Sequence, residues 1–413
     1  DSVSEVCARF GDYWAPDYSL YQRPEEGLTV MERKLTDTAR MLGEESNLHP
    51  DQIEEDLQDS LATAQRFYDE WTSEDYVGGG SFAFMVPTRA ERENGFAPEF
   101  KPFYPLIDHV GSRLGQLMLV GTPPLLVDRY RKGQNGSGAQ GAMLFAPIFG
   151  DMISDISDPE QLTSTFNRAV EDAVTFVRNR LGVTSVGLGA ILPAVTNFGR
   201  SINVEGVQTT TGHGGTIHLI KETISKAAEA HVIDEDIKQI GVVGLGSIGA
   251  SVASVMADEY PDAELLLCDS EVRKISRTVE SLGLPENRYQ AINSAAALLA
   301  MGECKVIVCA TTTPIDISDQ VNSYSSGGRA DRLIIDDSQP TAVNPVDARN
   351  NAGAHVVWPI GHSSDPRLHR TSFDYDNLGR IGNGVGGCEA EAFLAGQDPE
   401  LALRQPVDPI ATR

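Results

Sequence analysis

The segment IKQIGVVGLGSIGASVASVMADEYPDAELLLCDSE (237–271) constrains the fold of this chain more than any other. An apolar run from Ile240 to Val243 reads as a buried strand, and the small residues from Ala250 to Ala257 read as a helix packed close to it. Between them lies Gly244-Leu245-Gly246-Ser247-Ile248-Gly249. In such a turn the first glycine allows the tight reversal, the second lets the main chain approach a pyrophosphate, and the third lets the helix lie against the strand. The helix N-terminus then faces the phosphate charge with its unpaired N–H groups. A second apolar run, Glu264 to Cys268, ends in Asp269, about 20 residues beyond Gly249, the distance expected for an acid that binds a ribose. Strand, glycines, helix, strand and acid in register predict a dinucleotide-binding unit.

The same unit continues in KVIVCATTTP (305–314), RLIIDDSQP (332–340) and HVVWPIG (355–361), read as its fourth, fifth and sixth strands. Parallel strands present their carboxyl ends to the ligand, so Thr311, Thr312, Thr313, Asp336 and Asp337 are expected along the cofactor crevice beside Gly244, Gly246, Ser247, Ile248, Gly249 and Asp269. A carboxylate at Asp269 repels a 2′-phosphate, which favours NAD(H) within an expected NAD(P)H site, although Arg273 and Lys274 offer opposite charge. Cys309 falls inside a strand and is expected in the core.

Length and charge bound the rest. At 413 residues the chain is too long for one core and predicts several domains. With 33 Lys+Arg against 59 Asp+Glu, a formal net charge of −26 argues against nucleic acid or an anionic membrane surface as a partner. That acidity reads most simply as solubility, including in a salt-rich setting. The five cysteines lack metal-ligand spacing, no metal site is expected, and free thiols fit a reducing cytoplasm. No run of about 18 apolar residues predicts a membrane span, so a soluble, cytoplasmic protein is expected, and a homo-oligomer is allowed.

The predicted organisation is α/β: a Rossmann-type doubly wound parallel sheet, a second α/β substrate domain and a helical N-terminal section. Residues 28–72 carry helical periodicity, and 77–105 are rich in Gly, Pro and aromatics. The Gly/Ser stretch at 133–141 reads as a connector, which sets a boundary near 140. After it come a buried strand in MLFAPIFGDM, a helix from Asp158-Pro159 to Gly182 and a βα element in TSVGLGAILPAV. The expected domains are 1–139, mainly helical; 140–232, for substrate; 233–362, for the dinucleotide; and 363–413, a C-terminal segment. Arg129-Tyr130-Arg131-Lys132 is the one compact basic cluster and reads as a solvated loop.

A residue able to do covalent chemistry stands in RIGNGVGGCEAEAFLAG (380–396). Cys388 follows a run of glycines at the first turn of a short helix, where N–H groups and the helix dipole lower a thiol pKa. Glu389 and Glu391 would raise it if they face the sulfur, and a buried cysteine packing a helix is the alternative role. His213, in the TTTGHGG loop, and His362, after the sixth strand, are the histidines placed for proton transfer, whereas His218 and His231 fall on a helix as packing or surface residues.

From about residue 140 to 396 the order of these features resembles the long-chain acyl-(acyl-carrier-protein) reductases, which form fatty aldehydes. The resemblance rests on Thr210-Thr211-Gly212 heading a long helix into the glycine motif, on Ile334-Ile335-Asp336 ahead of Pro340, and on Cys388 before Glu-Ala-Glu-Ala-Phe. It implies that Cys388 takes the acyl group as a thioester and that nicotinamide hydride releases an aldehyde. An acyl thioester would be the substrate, carried by an acyl carrier protein or coenzyme A. Gly215 stands where the family has a histidine, and Ser270 replaces an arginine suited to NADP, so those two roles do not transfer. Backbone N–H groups around Gly387 and Cys388, or the His213 side chain, would stabilise the oxyanion.

Two other functions fit the same residues. One is a dehydrogenase without covalent catalysis, acting on an amino acid, hydroxy acid or imine, with Asp or His handling the proton and Cys388 only packing. The other is a nucleotide-binding protein with a regulatory or assembly role.

Overall fold

A computed structural model describes residues 26, 29–30, 33–34, 36–37, 40, 62, 82–88, 124–132, 139–149, 159–293, 301, 304–311, 332–338, 342, 355–362 and 384–397. The chain divides into two compact units, the first running to Thr211 and the second from Gly212 to His362. Residues 385–390 group with the second unit and 391–403 with the first.

The first unit holds a five-stranded sheet in the order β2-β3-β1-β4-β5, with β1 Phe82–Thr88, β2 Leu125–Lys132, β3 Ala139–Phe149, β4 Ser185–Leu188 and β5 Gln208–Thr210. All neighbours are parallel except β2, which runs antiparallel to β3 along the edge. Helix α1 (Pro159–Leu181) lays Phe166, Ala169, Val170, Ala173, Val174 and Val177 into one core with Ala83, Met85, Leu144 and Val186. That three- and four-residue spacing is the apolar stripe of an amphipathic helix, and each large side chain so buried contributes roughly 1.5–3 kcal/mol. Gly182 ends the helix at φ +66°, its N–H donating to the Arg178 carbonyl at 2.8 Å. A single turn, α2 (Leu192–Val195), follows β4.

Three expectations for this half are corrected. The described residues of 1–139 are not helical throughout, because they include β1 at the centre of the sheet and β2 at its edge. The boundary near 140 therefore falls within one sheet, where Lys132 of β2 faces Ala139 of β3. The Arg129-Tyr130-Arg131-Lys132 cluster is strand rather than loop: Tyr130 is buried, its ring centroid 4.6 Å from that of Phe82. Helix does occur among the described residues between 26 and 40, and Ala62 is helical; the remainder of 28–72 lies outside the described residues.

The second unit opens with α3 (His213–Glu229) and carries a six-stranded, wholly parallel sheet ordered β11-β10-β9-β6-β7-β8. Its strands are β6 Gln239–Val243, β7 Glu264–Cys268, β8 Tyr289–Ile292, β9 Val306–Cys309, β10 Leu333–Asp336 and β11 His355–Val357. Counted from β6, this is the 3-2-1-4-5-6 order of the Rossmann fold, reversed in direction along the sheet. Alternate residues feed opposite faces. Ile240, Val242, Leu265, Leu267, Val306 and Val308 meet Ile220 and Ile224 of α3 and Val252 and Met256 of α4 (Ser247–Glu259). Val243, Leu266, Ile307, Cys309 and Ile334 line the other face. Both faces are covered, which is why these strands read as continuous apolar runs.

Because α3 packs on this sheet, the division comes at Thr211/Gly212 rather than near 232. Helix α5 (Val272–Leu282) follows β7. Strands β12 (Ile360–His362) and β13 (Gly384–Gly386) form a two-stranded sheet, and α6 (Gly387–Gln397) follows β13 directly. No helix among the described residues is long and apolar enough to cross a membrane.

Candidate functional site

The carboxyl ends of the parallel strands finish in one row. Register pairs Val243 with Cys268 and with Cys309, Cys268 with Ile292, and Cys309 with Asp336. The residues that follow, Gly244, Asp269, Ala310-Thr311 and Asp337, therefore share one edge, where an open parallel sheet binds its ligand.

At that edge the three glycines play separate parts. Gly244 turns at φ +86°, and a side chain there would run into the Ala310 carbonyl carbon and Thr311 Cγ2, each 2.8 Å away. Gly249 lies so close to Gly244 that an added Cβ would fall on the Gly244 carbonyl, its carbon 2.9 Å off. Around Gly246 nothing stands within 4 Å of such a Cβ. It faces open space at the N-cap of α4, a 13-residue helix with no side-chain cap and no acid in its first turn. Unpaired N–H groups, the positive end of the dipole and an open cradle fit a pyrophosphate. Ser247 and Ile248 are half-buried in the same turn.

Asp269 adjoins the cradle. Its Oδ2 accepts from the Leu245 N–H at 2.7 Å and its Oδ1 from the Glu271 N–H at 2.8 Å. The carboxylate is thus held beside the glycine turn with lone pairs remaining for hydroxyl donors. Thr311 is buried against Gly244, and its N–H donates to Ser338 Oγ at 3.1 Å. Thr312 and Thr313 lie outside the described residues. Asp336, expected at the cofactor, is buried and turned to the main chain instead. Its Oδ1 accepts from the Ser338 N–H at 3.1 Å and its Oδ2 from the Ala342 N–H at 2.8 Å, so it shapes the loop after β10.

Its neighbour Asp337 is the chemically distinctive residue. The Asp337 N–H continues the ladder to the Cys309 carbonyl at 2.8 Å. Part of the residue reaches the surface, yet the carboxyl is enclosed. Burial, with the Asp336 charge adding to it, pushes this acid up to about 7, against a hydrogen bond from the Trp358 side chain. A carboxyl poised there exchanges its proton near neutral pH.

Cys388 is brought to the same region. It sits half-buried in the first turn of α6. A Cβ on Gly212, which turns at φ +76° to cap α3, would lie 2.7 Å from Cys388 Cα. A Cβ on Gly215 would meet the Gly387 carbonyl carbon at 2.6 Å. The N-termini of α3 and α6 thus cross main chain to main chain, and only glycine allows it. The Glu389 carboxylate reaches back so that the Gly386 N–H donates to its Oε2 at 2.6 Å, the return half of a capping box.

The expected lowering of the Cys388 pKa is corrected: the thiol is pushed strongly upward. Burial is the largest cause, the Glu389 and Asp337 charges follow, and its own N–H and that of Glu389 only partly oppose them. Cys388 therefore rests as a thiol. Cys309 and Cys268 are core residues, Cys309 pushed well up and Cys268 to about 11, both mainly by burial.

His213 is the first residue of α3, buried and adjacent in sequence to Gly212. His218 and His231 are exposed. His362 ends β12, with its side chain outside the described residues. Among the described residues no group of three or more His, Cys, Asp or Glu could hold a metal ion.

No protein-family model matches the chain, and no curated protein matches its sequence. Among solved structures it is similar to a dipicolinate synthase chain from Bacillus halodurans, at 16% identity over 57% of this chain and 69% of that one, with a TM-score of 0.33. Hetero-hexameric glutamate dehydrogenase from Thermus thermophilus matches at 12% identity over 80% and 72%, with a TM-score of 0.37. L-tryptophan dehydrogenase from Nostoc punctiforme matches at 13% over 81% and 86%, with a TM-score of 0.30. Likeness at this level assigns neither substrate nor activity.

Proposed function

We propose that this chain is a nicotinamide-dinucleotide oxidoreductase that acts on an amino acid, hydroxy acid or imine without a covalent enzyme intermediate, with Asp337 as the proton-transferring group. The observation that carries the reading is Asp337: an enclosed carboxyl near neutral pKa, directly after β10, on the same edge as the glycine cradle. The first mononucleotide half of such a sheet, from β6 to β8, holds the ribose acid, which leaves the half containing β10 to the other nucleotide. When bound, the dinucleotide supplies a hydride acceptor or donor. Oxidation of an alcohol or amine carbon removes a hydride from carbon and a proton from the attached oxygen or nitrogen. Asp337 takes that proton, or returns it in the reduction of a carbonyl or imine. General acid–base help of this kind contributes about 10²–10⁴-fold.

A second reading is favoured by the placement of Cys388. Its sulfur is flanked by Gly386 rather than by a bulky side chain, and Asp337 is close enough for its charge to act on the thiol. In thioester reduction Asp337 would take the thiol proton, the sulfur would attack the acyl carbonyl, and the donor thiol would leave with a proton. The donor would be an acyl carrier protein or coenzyme A.

Two substitutions separate these readings. Under the first, Asp337→Asn lowers kcat by about 10²–10⁴-fold with dinucleotide binding kept, while Cys388→Ser turns over within about threefold of the parent. Intact-mass measurement after incubation with a panel of acyl thioesters tests the second. An acyl increment that disappears in Cys388→Ser would overturn the non-covalent reading.

A further inference from the structure

We infer that Trp358 is the positioning residue for Asp337, its indole N–H holding one carboxyl oxygen so that the other is presented for proton transfer. The inference rests on Asp337 as the proton-transferring group and deepens that reading. Strand pairing brings the two residues together. β10 and β11 run parallel with Ile335 opposite Val357 as their last pair, so Asp336-Asp337 and Trp358 leave the sheet side by side at its carboxyl edge. The main chain of Asp337 is pinned through its N–H, which donates to the Cys309 carbonyl at 2.8 Å, and the Trp358 side chain hydrogen-bonds its carboxyl. Trp358 itself is half-buried and runs into the buried Pro359.

An indole suits this task for a chemical reason. It donates and never accepts, so it cannot take up the proton that the acid exchanges. A carboxyl turns readily about its last torsion, which is broad and two-fold, and one fixed donor makes its two oxygens inequivalent. The titratable groups at this end of the sheet play other parts. Asp336 gives its oxygens to the Ser338 and Ala342 N–H groups, and Glu389 of α6 accepts from the Gly386 N–H. Cys388 of α6 is a thiol whose ionisation the Asp337 charge opposes, and α3 brings the buried His213 at its first position. The Asp336 charge resists ionisation of Asp337, whereas the Trp358 hydrogen bond favours it.

The test needs no substrate. The chain has three tryptophans, Trp14, Trp71 and Trp358, so NMR of the full chain resolves its indole N–H groups as three signals. The signal lost in Trp358→Phe should titrate with a midpoint of about 7 in the parent and stay flat in Asp337→Asn. With isotope-labelled aspartate, the carboxyl signal lost in Asp337→Asn should titrate at about 7 in the parent. In Trp358→Phe its midpoint should lie at least about 0.5 pH unit higher, because loss of the donor disfavours the carboxylate. Should Trp358→Phe fold poorly, Trp14→Phe and Trp71→Phe assign the third indole by elimination, and its titration in the parent against Asp337→Asn carries the test. A Trp358 indole that is flat in the parent or titrates unchanged in Asp337→Asn, or an unshifted Asp337 midpoint in Trp358→Phe, overturns the positioning role and leaves Asp337 as the acid. Absence of any aspartate titrating near 7 overturns the Asp337 reading and the role of Trp358 with it.

Discussion

Gly246→Ala and Gly249→Ala, a pair three residues apart, should separate binding from stability. At Gly246 the backbone lies at φ −68° and ψ −162°, open to any L-residue, and an added methyl meets nothing within 4 Å. The folded protein should therefore lose no more than about 1 kcal/mol, the cost of alanine where glycine capped the helix. The same methyl enters the cradle where a pyrophosphate would rest against the N–H groups of α4, so NADH affinity should fall at least about tenfold, about 1.4 kcal/mol or more. At Gly249 the balance reverses. The methyl lands on the Gly244 carbonyl, a main-chain group that cannot rotate aside, and the helix must lift from the strand. Overpacking of this kind costs about 1–3 kcal/mol, against a helix-propensity gain of up to about 1 kcal/mol. For a unit of this size a net loss of about 1–2 kcal/mol corresponds to a fall in Tm of about 2–8 °C. Thermal unfolding and NADH titration of both variants provide the readout. A Gly246→Ala protein that binds NADH like the parent, or that unfolds earlier than Gly249→Ala, would refute the assignment of the cradle.

The acidity of Asp337 has a consequence for stability. Its folded-state value, about 7, lies above its ordinary 3.8, so the folded protein holds the extra proton between those limits. Stability should fall as pH rises from about 4 to 7 and level off above, by at most about 4 kcal/mol, and denaturant titrations should show Asp337→Asn flattening that slope. Cys388, resting as a thiol, should react with iodoacetamide at about pH 8 more slowly than an unburied cysteine, as mass spectrometry of the peptides will record; rapid labelling would favour the thioester reading. Gly215→Ala should push the start of α6 away by about 1 Å and lower kcat/KM by up to about 10²-fold, with NADH binding retained; unchanged kinetics would remove Cys388 and its neighbours from the site.

The local part of the fold is legible in the sequence. Glycines, strand, helix and acid lie within one short stretch, and each obeys a rule that needs no distant partner, so five of the six Rossmann strands can be read, while the short third strand, β8, with its two exposed middle residues, carries no apolar run to mark it. The first unit is harder to read. Strand β1 (FAFMVPT) is a central strand buried on both sides, and an apolar run without alternation carries no periodicity to distinguish it. Pro87 within it argues against a central strand, and the register slips just there, between Pro87 and Thr88. Strand β2 carries Asp128, Arg129, Arg131 and Lys132, charges that suit an edge strand and read equally well as a solvated loop. The state of Cys388 is hidden for a related reason. The helix terminus that lowers a thiol is visible in the sequence, but the enclosure is a matter of packing, and the Asp337 charge arrives from the end of β10, far away along the chain. Asp336 and Asp337 illustrate the same limit: adjacent acids, one committed to its loop and one left to titrate, are distinguished only by where their donors lie.

The crossing of α3 and α6 leaves evolution little room. Because backbone meets backbone at Gly215 and Gly387, a bulkier residue on either side has no opposing side chain that could shrink to make way. A genetic screen starting from Gly215→Ala should therefore recover true revertants and almost no second-site suppressors, whereas a defect in the Ile220 and Ile224 core could be repaired from several neighbours.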